Sequence, residues 1–330
     1  MPHDVLRRLL DGLPDPDSDA AAAVAARAAT TLRPAGAFAR LDEIAAWLAG
    51  WQSTTTPGVR RPHVAVFGAD HGVAADGVSA YPVEVTAAMA DAMRQGVATV
   101  TALAAEVGAS FAFHDVGIGR PTGNIRTEDA MHADEFDAAA QAGVAAVTDI
   151  DADLLVFGEV GIGNTTAAAA VTAAVLGGSV DRWVGPGTGV AGVDLERKRQ
   201  AVREAIDRVG AVEPLDALRR LGGLETVAMA AATLAARHRR IPVLLDGFIA
   251  TSAVLPLHAA TPGSLDHVRA GHCSAEPGHV RQLDALRMEP LLSLDLRLGE
   301  GSGAVVAVPI VRLACAAVLG VATFDEFGLS

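Results

Sequence analysis

The segment Asp153-Leu-Leu-Val-Phe-Gly-Glu-Val-Gly-Ile-Gly-Asn-Thr-Thr166 indicates the fold of this chain. Asp153–Phe157 is a short apolar run of the kind that forms a buried strand. A glycine-rich loop follows, and Asn164–Leu176 is an alanine-rich helical stretch. The same order of apolar run and Gly- or Asp-containing loop recurs at Val64–Phe67, Ser110–Phe113 and Ile241–Leu245. Repeated units of this kind predict an α/β fold with a mostly parallel sheet.

Polar side chains follow several of the predicted strands: Asp70 with His71, Asp115, Glu159 and Asp246. In an open parallel sheet, ligands bind at the carboxyl ends of the strands. We therefore expect a ligand site at that edge. Periodicity predicts further helices at residues 20–31, 41–51, 84–107, 138–147, 195–209 and 226–238, and an irregular loop at 118–135. No internal repeat or linker interrupts the pattern.

Composition narrows the class of protein. The 330 residues are 51% hydrophobic, enough for a large core, and the formal net charge is −13. Without a basic cluster, an acidic chain is not expected to bind nucleic acid. Only Cys273 and Cys315 occur, which is typical of a reduced, cytoplasmic protein.

The apolar run Ala304–Ala322 approaches the length of a membrane span. Pro309 and Arg312 lie near its middle, and a central Arg costs about 2.5–3.5 kcal/mol in a membrane. The N-terminus also lacks the apolar core of a signal peptide. The sequence therefore favours a core helix and no association with a membrane.

Two glycine-rich loops are candidates for binding a phosphate. Gly161, Gly163, Asn164 and Thr165 precede or begin a helix, where free amides favour an anion. An ordinary capped helix is the alternative interpretation of this loop. The segment Val184-Gly-Pro-Gly-Thr-Gly189 supplies Gly185 and Gly187. It precedes a helix that carries Lys198, a possible counter-charge along with Arg197, unless the segment is only a flexible turn.

Glu300 stands between glycines in Leu298-Gly-Glu-Gly-Ser-Gly303, at the edge of the apolar run. Partial burial raises the pKa of a carboxyl group, so Glu300 is a candidate general base. The composition leaves a capping or purely structural role open. His272-Cys-Ser274 suggests a loop in which Ser274 and backbone amides form hydrogen bonds, rather than a nucleophile or a zinc site. Tyr81 and Met89 are candidates for an apolar wall that accepts an aromatic ligand.

Together these segments resemble the nicotinate-nucleotide:dimethylbenzimidazole phosphoribosyltransferase (CobT) family from about Phe67 to Ala322. The motifs occur in the family's order: Asp70-His-Gly-Val73, Gly77-Val-Ser-Ala-Tyr-Pro82, Asp115-Val-Gly-Ile118, Gly158-Glu with Gly163-Asn-Thr-Thr166, Val184-Gly-Pro-Gly187, Leu244-Leu-Asp-Gly-Phe248, Ser274-Ala-Glu-Pro-Gly278, Met288-Glu-Pro-Leu291 and Arg297-Leu-Gly-Glu-Gly-Ser-Gly-Ala304. One such motif is weak, whereas nine in order are specific.

The resemblance implies a Rossmann-like parallel sheet flanked by helices, with residues 56–303 forming the large domain. Residues 1–55 and 304–330 would form a small helical domain, and the protein would be a homodimer. It implies transfer of phosphoribose from nicotinate mononucleotide to 5,6-dimethylbenzimidazole, without a metal or another cofactor. The products would be α-ribazole 5'-phosphate and nicotinate.

The resemblance also implies residue roles. Glu300 would be the catalytic base, and Glu159 a second carboxylate that stabilises the positively charged ribosyl transition state or binds the ribose hydroxyls. The phosphate would be held by Gly161, Gly163, Asn164, Thr165, Gly185, Gly187, Lys198 and Ser274, and the base by Tyr81, Met89 and Leu298. Other acceptors (adenine, other benzimidazoles, phenolic bases) stay open, as does a non-catalytic nucleotide-binding relative. A metal hydrolase using Asp70, His71, His272 and His279 is a third, weaker alternative.

Overall fold

A five-stranded parallel sheet with the order β2-β1-β3-β4-β5 organises the protein in a computed structural model that describes residues 3–329. A separate two-stranded parallel sheet pairs β6 with β7. The order 2-1-3-4-5 is one of the two common doubly wound arrangements, with its topological switch point between β1 and β3. The strands are β1 Pro62–Ala69, β2 Ser110–Gly117, β3 Leu154–Val160, β4 Val243–Leu245, β5 Val268–Ala270, β6 His272–Cys273 and β7 Leu292–Ser293.

Helices cover both faces of the main sheet. The helices are α1 Asp4–Leu10, α2 Ser18–Thr30, α3 Ala39–Gln52, α4 Glu84–Arg94, α5 Thr99–Glu106, α6 Ala133–Thr148, α7 Asn164–Leu176, α8 Gly192–Val209, α9 Pro214–Leu221, α10 Leu224–His238, α11 Phe248–Ala260, α12 Pro277–Leu286 and α13 Ser302–Leu319. Short 3₁₀ turns lie at Gly72–Asp76 and Val180–Arg182.

Alternate residues of the central strands enter two separate cores. On β1, Phe67 joins the core formed with α6, α7, α10 and α11, whereas Val66 joins the core formed with α3, α5 and α13. On β3, Phe157 and Val156 divide in the same way. A strand buried on both faces is an uninterrupted apolar run, which is why Asp153–Phe157 was recognisable in the sequence.

The predicted α/β class and parallel sheet are confirmed, with three local differences. Residues 84–107 form two helices rather than one, because Gly96 adopts a left-handed φ of +74° and ends the first. Helix α6 begins at Ala133, inside the predicted loop, and the Glu135 carboxylate accepts a hydrogen bond from the amide of His132 at 2.7 Å. Four helices were not predicted: α1, α9, α11 and α12.

The chain's two ends meet beside α13. Thr31 forms an isolated antiparallel bridge with Thr323, and Arg27 pairs with Glu326 at 2.9 Å. Helix α3 packs on α13, whereas α1 packs on α6 and α10. The division into residues 1–55 with 304–330 and residues 56–303 stays a prediction. Helix α13 is the one helix among residues 3–329 that is long and apolar enough to cross a membrane, and 56% of it is buried in the protein.

Candidate active site

A cavity of about 390 Å³ lies at the carboxyl ends of β3 and β4. Ten of the thirteen predicted site residues line it: Tyr81, Met89, Glu159, Gly161, Asn164, Thr165, Gly187, Ser274, Leu298 and Glu300. The other three, Gly163, Gly185 and Lys198, are not among its lining residues. Side chains that are more than 200 positions apart in the sequence therefore share one site.

Glu300 sits on a tight turn between β7 and α13. It is 5% exposed and has a φ of +65°, a left-handed conformation that a non-glycine residue adopts at a cost of about 1–3 kcal/mol. Gly158 of β3 lies against the turn: a Cβ atom there would be 2.3 Å from both the carbonyl carbon and the oxygen of Glu300. This close contact between the backbones of Gly158 and Glu300 fixes the position of the Glu300 Cα atom, and so the point from which its side chain extends.

Burial raises the pKa of the Glu300 carboxyl group above its ordinary value, and the neighbouring charge of Asp246 raises it further. The backbone amide of Val100, in the first turn of α5, opposes these effects. Burial is the largest of these effects, and the amide that opposes it belongs to α5 rather than to α13. A carboxyl group with a raised pKa is suited to general base catalysis.

Glu159 ends β3 and is 6% exposed. Its Oε2 accepts a short hydrogen bond from the Asn164 side-chain amide. Burial raises the pKa of Glu159 well above its ordinary value of 4.5, and the charges of Asp246, Glu225 and Glu300 raise it further. The surroundings of Glu159 thus favour its neutral form.

Replacing Glu159 with Gln is expected to stabilise the protein at pH 8 but not at pH 5. Since the pKa of Glu159 is higher in the folded state than in the unfolded chain, the folded state binds more protons above about pH 4.5, and stability falls as pH rises through that window. Gln removes this penalty because it carries no charge. Thermal unfolding at both pH values measures the effect, with the exposed Glu106→Gln as control. A Tm gain that is equal at both pH values would contradict the assignment.

The first predicted phosphate loop is built as a strand-to-helix turn. Gly163 precedes α7 with a left-handed φ of +98°, and the amides of Asn164 and Thr166 are bonded to Gly161 O and Gly163 O. The Ile162 amide donates to Thr86 Oγ1 at 3.1 Å. The turn is therefore held from within and from α4, and it presents Asn164 and Thr165 to the cavity.

Lys198 connects the two predicted phosphate loops. It is the only lysine in the chain and is 1% exposed. Its Nζ donates to Thr165 Oγ1 at 2.9 Å and to Gly185 O at 3.0 Å. Burial lowers the pKa of Lys198 to about 8, partly offset by the charge of Glu276. Lys198 thus supports the loops from behind.

The side chain of Glu276 contacts the second predicted phosphate loop, at Gly185 and Gly187. Its Oε1 accepts a hydrogen bond from the Gly187 amide at 2.8 Å, and a Cβ on Gly185 would lie 2.0 Å from its Oε2. Burial raises the pKa of Glu276, and Lys198 and the Gly187 amide lower it in part. An anion that used the Gly187 amide would have to take the place of this carboxylate.

Three residues present buried polar atoms that have no hydrogen-bond partner within residues 3–329. These atoms are Glu300 Oε2, Ser274 Oγ and both ring nitrogens of His272, and all three residues line the cavity. An unpartnered buried polar group costs about 1–3 kcal/mol. Such groups gathered in one cavity are what a polar ligand would satisfy.

Twelve of the lining residues were not among the predicted site residues, and four of these have ionisable side chains: Asp246, His272, Glu276 and Arg297. Asp246 was visible as an acid at a strand end, and Glu276 and Arg297 lie within motifs that the resemblance quoted. Only their partners, which are distant in sequence, distinguish them from ordinary loop residues.

Three of the four residues of the metal hypothesis form other contacts: Asp70, His71 and His279. His71 Nε2 lies 3.0 Å from Glu225 Oε1, and the Gly119 amide donates to Asp70 Oδ2 at 2.8 Å. His279 Nδ1 accepts from the Ser274 amide at 2.9 Å. No group of three or more His, Cys, Asp or Glu side chains in the described part of the chain is arranged to hold a metal ion.

Replacing Lys198 with Met is expected to weaken binding of a phosphate-bearing substrate by roughly 10-fold or more, because a charge-assisted hydrogen bond contributes about 1.5–3 kcal/mol. The free energy of unfolding should also fall, since Gly185 O loses its donor. Titration with nicotinate mononucleotide measures the dissociation constant. Arg197→Met is the control, because Arg197 is half-exposed and pairs with Asp194 at 2.7 Å. Equal weakening by both substitutions would contradict a specific role for Lys198.

Comparison with known proteins agrees with this geometry. A family model described as "Phosphoribosyltransferase" matches residues 13–329. The nicotinate-nucleotide–dimethylbenzimidazole phosphoribosyltransferase of Cereibacter sphaeroides is 49% identical over 326 residues, which cover 98% of this chain and 96% of that protein. The protein of that name from Allorhizobium ampelinum is 45% identical over 332 residues, covering 100% of this chain and 97% of the relative.

Solved structures agree as well. The crystal structure of CobT from Thermus thermophilus matches with a TM-score of 0.90 and 41% identity, over 94% of this chain and 99% of that one. Both the sequence and the fold match these relatives over nearly the whole length of the chain. The chain therefore belongs to the phosphoribosyltransferase family of the CobT proteins.

Proposed function

We propose that this protein transfers the phosphoribosyl group of nicotinate mononucleotide to 5,6-dimethylbenzimidazole, giving α-ribazole 5'-phosphate and nicotinate. The family membership supports the reaction class, and the cavity supports the assignment of roles. The observation that carries the roles is the pairing of two features in one cavity: a buried Glu300 Oε2 that has no hydrogen-bond partner among residues 3–329, and an apolar wall that includes Tyr81 and Met89.

In the proposed reaction, one ring nitrogen of the benzimidazole attacks C1' of the ribose as the bond from C1' to the pyridinium nitrogen breaks. The electron pair of that bond returns to the pyridinium ring, so nicotinate leaves with a neutral ring nitrogen and needs no acid. Glu300 accepts the proton from the second benzimidazole nitrogen. Attack opposite the leaving group inverts C1', which converts a β-nucleotide into an α-product.

The raised pKa of Glu300 makes its carboxylate a stronger base than an exposed one. Glu159 has a different role, because its pKa is raised further by burial and by three neighbouring acids. A neutral carboxyl group both donates and accepts hydrogen bonds. We therefore assign Glu159 to a ribose hydroxyl rather than to electrostatic stabilisation of the ribosyl cation.

The remaining assignments follow the cavity wall. Ser274, whose hydroxyl is buried and unpartnered within the described residues, would bind the phosphate together with Thr165 and the Gly187 loop. Lys198 would act through Thr165 and Gly185 rather than by direct contact. Leu298, Tyr81 and Met89 would enclose the acceptor base.

We also propose a cytoplasmic homodimer. Large apolar side chains remain exposed near the cavity and at the C-terminus: Tyr81 (52%), Leu298 (52%) and Phe327 (63%). Self-association would bury such surface. Light scattering coupled to size-exclusion chromatography measures the mass, and a monomer at micromolar concentration would rule the dimer out.

The test of function is incubation of the purified protein with nicotinate mononucleotide and each of three acceptors: 5,6-dimethylbenzimidazole, adenine and phenol. Chromatography then quantifies nicotinate and the α-linked nucleotide. We expect the highest kcat/KM with dimethylbenzimidazole. If it is the poorest acceptor, the acceptor assignment is wrong; if no acceptor releases nicotinate, the transferase assignment fails.

A further inference from the structure

The loop that presents Glu300 is fixed by a residue outside it. Asp246 follows β4 and is 2% exposed. Its Oδ1 accepts a hydrogen bond from the Ala304 amide at 2.9 Å, and its Oδ2 accepts one from the Gly301 amide at 3.2 Å. One carboxylate thus holds both the residue after Glu300 and the first turn of α13.

The same carboxylate acts on Glu300 through its charge. After burial, Asp246 is the main cause of the raised pKa of Glu300, and it is also the largest charge contribution to that of Glu159. Asp246 thus acts on Glu300 in two ways, through its hydrogen bonds to the turn and through its charge.

We propose that Asp246 is a positioning residue for phosphoribosyl transfer: it pins the turn that presents Glu300 and supplies the fixed negative charge beside which Glu300 accepts a proton. This inference rests on the proposed function. It assigns to one buried acid two separable effects, one on geometry and one on proton affinity.

Other titratable groups face this pair. Glu159 lies on β3, and His272 Nε2 on β6 lies 3.3 Å from Asp246 Oδ1. His279 on α12 also senses the charge of Asp246. Arg297 precedes the turn and lines the cavity. Because several ionisable groups lie near Asp246, a change in the pH dependence of kcat has to be assigned to Glu300 by further substitutions.

Two substitutions separate the effects. Asp246→Asn keeps the shape but removes the charge, so the acid limb of the kcat profile should move to lower pH, and kcat should fall roughly 10- to 100-fold because one amide loses its acceptor. Asp246→Glu keeps the charge but displaces the carboxylate, so kcat should fall while the acid limb stays in place. A residue with only a structural role would leave the limb unmoved in both variants.

The Glu159→Gln variant shows whether the acid limb of the kcat profile belongs to Glu300 or to Glu159. If it belongs to Glu300, Asp246→Asn should shift the limb in this variant as it does in the wild type. The inference is overturned if Asp246→Asn retains the wild-type limb, or if Asp246→Glu retains the wild-type kcat. Should Asp246→Asn fail to fold, Asp246→Glu alone still tests the positioning. Wild-type protein that transfers no phosphoribose would refute the proposed function, whereas active wild type with an unmoved limb would refute only the role of Asp246.

Discussion

Replacing Glu300 with Gln is expected to lower kcat by roughly 10²- to 10⁴-fold, the usual contribution of a positioned general base. Gln has nearly the same volume and can adopt the same left-handed backbone, so the turn between β7 and α13 should persist. It cannot accept the benzimidazole proton. Steady-state kinetics with nicotinate mononucleotide and 5,6-dimethylbenzimidazole measure the loss.

Binding separates this chemical effect from a structural one. The dissociation constant for nicotinate mononucleotide should change little, because the phosphate loops belong to other segments of the chain, at residues 161–165 and 185–187. Glu106→Gln, an exposed substitution at the end of α5, should leave kcat unchanged. Full activity of Glu300→Gln would remove Glu300 from the mechanism, and loss of nucleotide binding would indicate that it supports the fold instead.

Local sequence patterns predicted the parts of the fold whose causes are local. The α7 helix was predicted with the bounds observed, Asn164–Leu176, because a glycine with left-handed φ precedes it and another glycine follows. Helix α11 was missed because it is apolar on all sides and contains Pro256, so it shows no periodicity. Strand β5 has three residues, too few to show any pattern.

In the site, too, features with a local sequence pattern were predicted and features that depend on distant contacts were not. Glu300 and the phosphate loops stand out in the sequence because glycines surround them. Asp246 was visible only as an acid at a strand end, because its partners Gly301 and Ala304 are 55 and 58 positions away. Lys198 was recognised as a cation near a loop, but the sequence could not show that its ammonium group faces Thr165 and Gly185 rather than the cavity. Contacts between distant segments decide which polar residues do chemistry and which hold them.

Replacing Gly158 with Ala is expected to disturb the site from the strand side. The new methyl group would lie 2.3 Å from the backbone of Glu300 and 2.4 Å from the Gly301 nitrogen, and backbone cannot rotate away as a side chain can. Overpacking of this kind costs about 1–3 kcal/mol or more of the free energy of unfolding.

A shift of the turn by about 1 Å would also lower kcat about 10²-fold. Thermal unfolding and steady-state kinetics measure the two effects. Gly58→Ala is the matched control, because a Cβ there meets nothing within 4 Å. It should leave kcat unchanged and stability equal or slightly higher, since Ala restricts the unfolded chain.

If Gly158→Ala behaved like Gly58→Ala, strand and turn would not be in contact, and the position of Glu300 would have to depend on Asp246 alone. If Tm fell while kcat held, the turn would follow the strand as one unit. A fall in both Tm and kcat would mean that contact with β3 is needed, in addition to the hydrogen bonds from the Gly301 and Ala304 amides to Asp246, to hold Glu300 at the acceptor.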